Sequence, residues 1–384
     1  MDKIYDYTIK LIRYILKGDV PSLPENIDFE KLYTFGKSHG VENMLYVALR
    51  DLKIDVPKDV MQKFYYSYLM SIKIDTLQTM ELEKIGNAFE EAGIDYIPLK
   101  GSVVKHFYPM THYRKSGDID VLVRRETEKD AEKVLIEKLN YLRSEIFKHY
   151  EVHISYFKMP CVYVELHRQI LKSSNRAYKM FKNIWKYVKT SKSKEHKYVL
   201  SNELLYTYLL AHLCNHLYNG GAGIRMLMDF YVLSKNSKLD YEILNRYLKK
   251  ANLVKINDYV TNIISKWFGD SYVFDKDVEI LLDIIFDGGS FGTRDMQEKM
   301  HDSNSLVGKI RQLMQRVFMP TNMLVQFKPE YANGTKSKFL IQLRRIKNIL
   351  KHNRKKVFED TKLILKSEKS DKSLANIVKA ICDR

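Results

Sequence analysis

The sequence predicts an α+β protein, with a small mixed sheet embedded between largely helical N- and C-terminal regions. Three observations predict it. Apolar residues recur at helical spacing through residues 1–80 and again from about residue 196. Between these stretches lie short runs rich in Val, Ile and Tyr, separated by turn residues and one helical pattern. The 384 residues contain no fixed-period repeat and no low-complexity tract, and 45% of them are hydrophobic, enough for two or three packed units and too many for global disorder.

In chain order, "IYDYTIKLIRYIL" (4–16) and "VMQKFYYSYLMSIKIDTLQTMELEKI" (60–85) are helical, and "ELEKIGNAFEEAG" (81–93) continues the second to a terminator at Gly93. "IDYIPLKGS" (94–102) is a short apolar run broken by Pro98, followed by a helical turn. "DIDVLVRR" (118–125) is a strand, and "ETEKDAEKVLIEKLNY" (126–141) is a helix with acidic residues in its first turn, where the dipole favours them. "VHISYFKM" (152–159) and "VYVELHRQ" (162–169) are two strands joined by a turn around Pro160. Helices resume with "NELLYTYLLAHLCNHLY" (202–218), the loop "NGGAG" and "IRMLMDFYVLSK" (224–235). The expected organisation is a helical region over 1–80, an α/β core over 81–195, a helical domain over 196–335 and a basic helical tail over 336–384.

Composition narrows the function classes. No apolar run reaches the roughly 18–20 residues that span a bilayer. The first residues read as an amphipathic helix without the apolar centre of a signal peptide, so a cytoplasmic location is expected. Cys161, Cys214 and Cys382 lie far apart, which argues against a disulfide framework and a zinc knuckle. The net charge is +17, and in Lys336–Arg384 basic residues outnumber acidic ones by ten. That tail either attracts RNA or another polyanion or is a solvated helical surface.

The residues that carry chemistry sit on the predicted strands. Strand side chains alternate faces, so Asp118 and Asp120 point the same way while Ile119 and Val121 enter the core. Two adjacent carboxylates repel unless a cation lies between them, and a divalent ion with a taste for oxygen, such as Mg²⁺, does this. Glu165 sits among apolar neighbours on a later strand, and pairing beside 118–123 would bring it to the two aspartates. Upstream, Gly101 allows a tight turn, and Ser102 opens a helical turn whose free N–H groups favour phosphate. Lys100, Lys105, Arg114 and Lys115 supply cations nearby. Asp120→Asn is expected to remove activity with the fold and melting temperature nearly unchanged.

A second cluster lies on the later helices. His212 and His216 are four apart and share a helix face, as do Arg225 and Asp229. Two readings stand: an Arg225–Asp229 pair locking the hairpin with hydrogen-bonded core histidines, or His216 and Arg225 on a cleft wall in contact with a ligand. Two imidazoles alone fall short of a zinc site. His106, His112 and His153 read as surface or cleft-edge residues.

Gly101-Ser102, Asp118-Ile119-Asp120 and the later Glu165 together resemble the nucleotidyltransferase superfamily of the DNA polymerase β type. The context is similar to a bacterial branch of uncharacterised nucleotidyltransferases often found beside polysaccharide or peptide biosynthesis genes. That branch carries "PLKG", here Pro98–Gly101; "YP", here Tyr108-Pro109; an Arg, here Arg114; and "GDIDLLV", here Gly117–Val123. It also carries an acidic residue followed by His, here Glu165-Leu166-His167, then His212, His216, Arg225 and Asp229; "RVFMPTNML" (316–324) is similar as well. The resemblance covers roughly residues 30–350. It implies transfer of a nucleoside monophosphate from an NTP such as ATP to an acceptor hydroxyl on a small molecule, glycan precursor or peptide, with release of pyrophosphate. Asp118 and Asp120 would bind Mg²⁺ (or Mn²⁺) and the triphosphate, Glu165 would complete a second metal site and help activate the hydroxyl, and Gly101 and Ser102 would hold the β- and γ-phosphates. Two alternatives remain beside it: a toxin-like transferase modifying tRNA or protein, and a non-catalytic nucleotide-binding module of the same fold.

Overall fold

The computed structural model describes residues 3–22, 26–144, 151–218, 221–269, 272–290, 292 and 337–352. "RVFMPTNML" and most of the basic tail lie outside the described residues. The architecture is α+β, as the sequence predicts, with a five-stranded mixed sheet among helices.

Helices α1 (Lys3–Lys17), α2 (Phe29–His39), α3 (Glu42–Asp51) and α4 (Lys58–Glu91) precede the sheet; α8 (Asn202–Tyr218), α9 (Ile224–Asn236), α10 (Tyr241–Ala251), α11 (Val254–Phe268) and α12 (Lys276–Gly288) follow it. Short helices α5 (Gly101–Val104), α6 (Glu128–Lys133) and α7 (Tyr178–Phe181) belong to the middle of the chain, and α13 (Lys338–His352) is the described part of the basic tail. The two helical regions are remote in sequence but share one hydrophobic core. Leu11, Ile12, Leu45 and Phe64 from the first pack with Leu209, Leu213, Leu227, Phe230, Ile256 and Ile285 from the second. Their apolar faces cannot be buried separately, so each region supplies the other's cover.

The sheet has the order β1-β2-β5-β4-β3, with β1 Tyr96–Pro98, β2 Ile119–Val123, β3 Leu142–Arg143, β4 His153–Lys158 and β5 Val162–His167. β2 and β5 run parallel and the other pairs are antiparallel. A small hairpin, β6 (Lys189–Thr190) with β7 (Tyr198–Val199), and the short strand β3 were not anticipated. Alternation along β2 divides its side chains between two cores. Ile119, Val121 and Val123 join a second core with Ile85 and Phe89 of α4, Leu135, Tyr156, Val164 and Leu166. Leu122 faces the helical body instead. Asp118 and Asp120 have the parity of Leu122, so they share its face.

α4, 34 residues long, reaches both cores. Its first half contributes Val60 and Phe64 to the helical body and its last turns contribute Ile85 and Phe89 to the sheet core. It therefore passes through residue 80 without a break. It ends where the sequence predicts a stop. Gly93 has φ +66°, its N–H donates to Glu90 O (3.1 Å), and the N–H of Ile94 donates to Phe89 O (2.9 Å), the paired bonds of a Schellman cap. A Cβ at Gly93 would meet nothing closer than 3.9 Å, so its substitution isolates the backbone term. Gly93→Ala should destabilise the protein by about 1 kcal/mol, the cost of a non-glycine residue in the left-handed region, read as a lower midpoint with unchanged slope in urea.

Candidate active site

The site begins with the parallel pairing of β2 and β5, which sets Asp120 directly opposite Glu165. Asp118 lies one residue ahead of β2 and two from Asp120, on the same face. Carboxylate oxygens of the three residues lie within 4.8 Å of one another. They form part of the wall of a cavity of about 300 Å³ between the sheet and helices α8 and α9.

Two cations hold this cluster together. Lys100 Nζ lies 2.6 Å from Asp120 Oδ1 and 3.8 Å from Glu165 Oε2. The fully buried His167 places Nε2 2.8 Å from Asp120 Oδ1 and 3.4 Å from Glu165 Oε2. Burial works against the charged forms of Lys100 and His167, but the carboxylates outweigh it and raise both pKa values. Asp120 is likewise pushed up by burial and drawn further down by Lys100 and His167, so it stays ionised. Asp118 has no such direct partner among the described residues. Burial and the charge of Asp120 raise its pKa. The expectation that Asp120→Asn leaves the melting temperature nearly unchanged is therefore corrected: Asp120 is 2% exposed and pairs with both Lys100 and the buried His167.

Lys100 reaches the carboxylates from a strained backbone. Its φ is +45°, unusual for a residue with a Cβ, and costs about 1–2 kcal/mol. The strain is held by flanking bonds: Leu99 N donates to Asp120 O (3.0 Å) and Val104 N to Lys100 O (2.9 Å). Gly101 serves a different purpose from the one its position suggests. The left-handed residue of the turn is Lys100. Gly101 is needed for space: a Cβ there would collide with Arg114 Nη1 and sit 2.6 Å from Ser116 Oγ.

The remaining predicted residues divide. Gly101, Arg114, His216 and Arg225 line the cavity with Lys100 and the three carboxylates; Ser102, Lys105 and Lys115 are not part of its lining. Lys105 is buried and donates to Asp75 Oδ1 (2.7 Å) and Thr79 Oγ1 (2.6 Å), which pins the segment after α5 to α4. Lys115 pairs with the buried Glu42. Arg114 is clamped by Asp229, Nη2 to Oδ2 at 2.8 Å and Nε to Oδ1 at 3.2 Å, and Tyr108 donates to the same carboxylate at 2.7 Å. The anticipated Arg225–Asp229 pair is thus replaced by Arg114–Asp229, and Arg225 donates to Lys115 O. Among the described residues no carboxylate forms an ion pair with Arg225. Burial, then the neighbouring Arg114, lowers its pKa to about 10.

His212 and His216 do line the cavity, their Nε2 atoms 3.1 Å apart. Burial holds both neutral, His216 with a pKa lowered to about 4. His112 is buried rather than at the surface, edge-on to Tyr68 and Tyr113. His106 is exposed. His153 faces Glu165, Nδ1 to Oε2 at 3.2 Å.

Sequence reasoning placed His153 only at the surface or a cleft edge, named His167 only within a motif, and passed over Ser116, Asn175 and Asn215; all five line the cavity. A signal existed for the first two. His167 is two residues beyond Glu165 on one strand, hence on its face. His153 and His167 are equidistant from Pro160, so a hairpin centred there pairs them, as the structure does.

A family model described as "uncharacterised nucleotidyltransferase" matches residues 25–269, from before α2 to the end of α11. The match stops well short of residue 350, where the resemblance was expected to end. No curated protein and no solved structure matches the chain.

Asp118 separates stability from function. A carboxyl whose pKa is raised on folding contributes stability present at low pH and lost as pH rises through the folded value. Asp118→Asn removes that loss. In EDTA near pH 8 the variant should melt roughly 2–4 °C above the wild type, the shift expected for about 1 kcal/mol, and the gap should close as the pH is lowered. A differential scanning fluorimetry series from pH 5 to 8 checks it; a variant less stable than wild type at every pH would contradict this account of the site's charge.

Proposed function

The chain belongs to the family of uncharacterised nucleotidyltransferases, and on that premise we propose that it moves a nucleoside monophosphate from an NTP to an acceptor hydroxyl in a Mg²⁺-dependent reaction. The observation that carries this reading is the three-carboxylate cluster at two adjacent parallel strands, facing a cavity lined by Arg114 and Arg225. The donor set suits a hard divalent ion: three carboxylates converge, and the protein already commits two cations to their charge. Asp118, Asp120 and Glu165 would hold Mg²⁺ (or Mn²⁺), which supplies charge neutralisation and polarisation of the transferred phosphoryl group.

The chain's own residues do the rest. Arg225, with no carboxylate partner among the described residues, and Arg114 beside it bind the triphosphate. Lys100 adds an ammonium at the same end of the cavity. Glu165 helps activate the acceptor hydroxyl. The new bond joins the acceptor oxygen to the α-phosphorus, the bond from that phosphorus to the bridging oxygen breaks, and pyrophosphate leaves with the displaced charge on it. The acceptor in this reading is a small molecule, glycan precursor or peptide. Among the described residues no helix is long and apolar enough to cross a membrane, and a cytoplasmic setting, where NTPs are made, accompanies this reading.

One observation favours a second reading. The basic surplus of ten in Lys336–Arg384 suits a tRNA or other polyanionic acceptor. RNA retention that falls steeply with salt and disappears on removal of that segment would favour it.

Isothermal titration of the four NTPs, each with Mg²⁺ and with EDTA, tests the main reading. One NTP should bind in Mg²⁺ and not in EDTA. Asp118→Asn should weaken that binding by about 100-fold or more, at or above the usual effect of perturbing a metal's surroundings, while melting no lower than wild type. Metal-independent binding, or full Mg²⁺-dependent binding by Asp118→Asn, would refute it. Arg225→Met should weaken NTP binding in Mg²⁺, measured by the same titrations.

A further inference from the structure

We propose that His153, Glu165 and His167 form a second cation site beside the carboxylate cluster, one of mixed nitrogen and oxygen donors that takes a late first-row divalent ion (Zn²⁺, Co²⁺ or Ni²⁺) in preference to Mg²⁺.

The antiparallel pairing of β4 and β5 sets His153 directly across from His167. Glu165 is two residues from His167 on the same strand face. All three side chains therefore leave the sheet on one side, from three positions of a rigid two-stranded ribbon. Glu165 Oε2 lies 3.2 Å from His153 Nδ1 and 3.4 Å from His167 Nε2. One ligand atom from each residue lies within 4.8 Å of the others. Donors around an ion with bonds of about 2.1 Å stand roughly 3.0–3.4 Å apart in octahedral or tetrahedral geometry. The glutamate oxygen is already at that spacing from both nitrogens.

Counter-charge for Glu165 does not explain this arrangement. Lys100 Nζ and His167 Nε2 already approach the carboxylate, so a further ring is not needed to pair it. His153 is a second imidazole brought to the same oxygen, from the neighbouring strand, with its side chain 13% exposed. Among the described residues His167 Nδ1, on the far side of its ring, is buried and has no hydrogen-bond partner, so within them His167 interacts through Nε2 alone. The cavity the cluster faces leaves room for water to complete the coordination shell.

Donor chemistry sets the preference. Imidazole suits Zn²⁺, Co²⁺ and Ni²⁺, whereas Mg²⁺ seeks oxygen and gives up its water reluctantly. Glu165 is common to both clusters, but His153 belongs to this one and Asp118 and Asp120 to the other. The two sites can therefore be told apart by mutation. The proposal does not rest on nucleotide transfer, because its test reads the ion directly.

The test uses the full chain, stripped with EDTA, dialysed, and titrated with Co²⁺ in excess Mg²⁺. Visible absorption reports nitrogen ligation, and calorimetry with Zn²⁺ reports stoichiometry and affinity. One equivalent should bind despite the Mg²⁺. His153→Ala should weaken Co²⁺ and Zn²⁺ binding by about 100-fold or more, and Asp118→Asn should retain it. His153→Gln, which keeps the side chain's bulk and polarity, guards against misfolding and should lose the ion while melting near the wild-type temperature. His106→Ala, at an exposed ring elsewhere, should bind as wild type does. No uptake in excess Mg²⁺, uptake unaffected by His153→Ala, or uptake abolished by Asp118→Asn would each overturn the proposal; the last would assign the ion to the carboxylate cluster.

Discussion

The ion pair between Lys100 and Asp120 is the contact on which the rest of the site depends. Parallel pairing of β2 and β5 puts Asp120 against Glu165 at a depth where like charges cannot both survive alone. The ammonium of Lys100, 2.6 Å from one and 3.8 Å from the other, makes that register tolerable. To bring it there the chain accepts a left-handed backbone at Lys100. The next residue must then be glycine, because Arg114 packs where its Cβ would be. Arg114 is fixed in turn by Asp229 on α9. Strand register, backbone strain, a glycine and a helix-to-loop clamp thus follow from one buried charge.

α4 holds this arrangement from the other side. Asp75 receives Lys105 and Thr111, Gln78 Nε2 donates to Ser116 O, and Glu81 receives Tyr141 and Lys158. Ile85 and Phe89 continue into the sheet core. Positions 75, 78, 81, 85 and 89 recur at helical spacing, so one face of α4 grips the loop before β2, the middle of the sheet and its core in succession. The polar middle of a helix that is apolar toward both ends is explained by this grip. It binds the segment running from Lys100 to Asp118 more firmly than its few short helical turns could.

What the sequence made legible was local. Asp118, Asp120 and Glu165 stood out because strand periodicity puts them on one face and apolar neighbours mark the strands. Gly93 stood out because a helix must stop. What escaped depended on partners remote in sequence. Lys105 and Lys115 look like free cations beside a phosphate loop until Asp75 and Glu42 are brought to them. The four-residue spacing of Arg225 and Asp229 suggested a helical pair, yet a buried carboxylate is better satisfied by a bidentate guanidinium and a phenol, and Arg114 with Tyr108 supplies both. The two helical regions that read as separate blocks are one core, because amphipathic periodicity shows that a face is buried and not what buries it.

The charges of the cluster also constrain what can enter it. Lys100 and His167 already balance Asp120 and Glu165, and Asp118 is driven toward its neutral form. A divalent ion arriving alone among these groups would leave the pocket with excess positive charge, with Arg225 and Arg114 close by. Relief comes from a proton leaving, from the ammonium turning away, or from an anion arriving with the ion. A triphosphate is such an anion, and its oxygens give Lys100 a partner to replace Asp120. The same electrostatics that make the site foldable without a ligand thereby disfavour the ion by itself and favour ion and nucleotide together. In a site so built, coupling between the two needs no moving domain, because one carboxylate cannot satisfy an ammonium and a divalent ion at full strength at the same time.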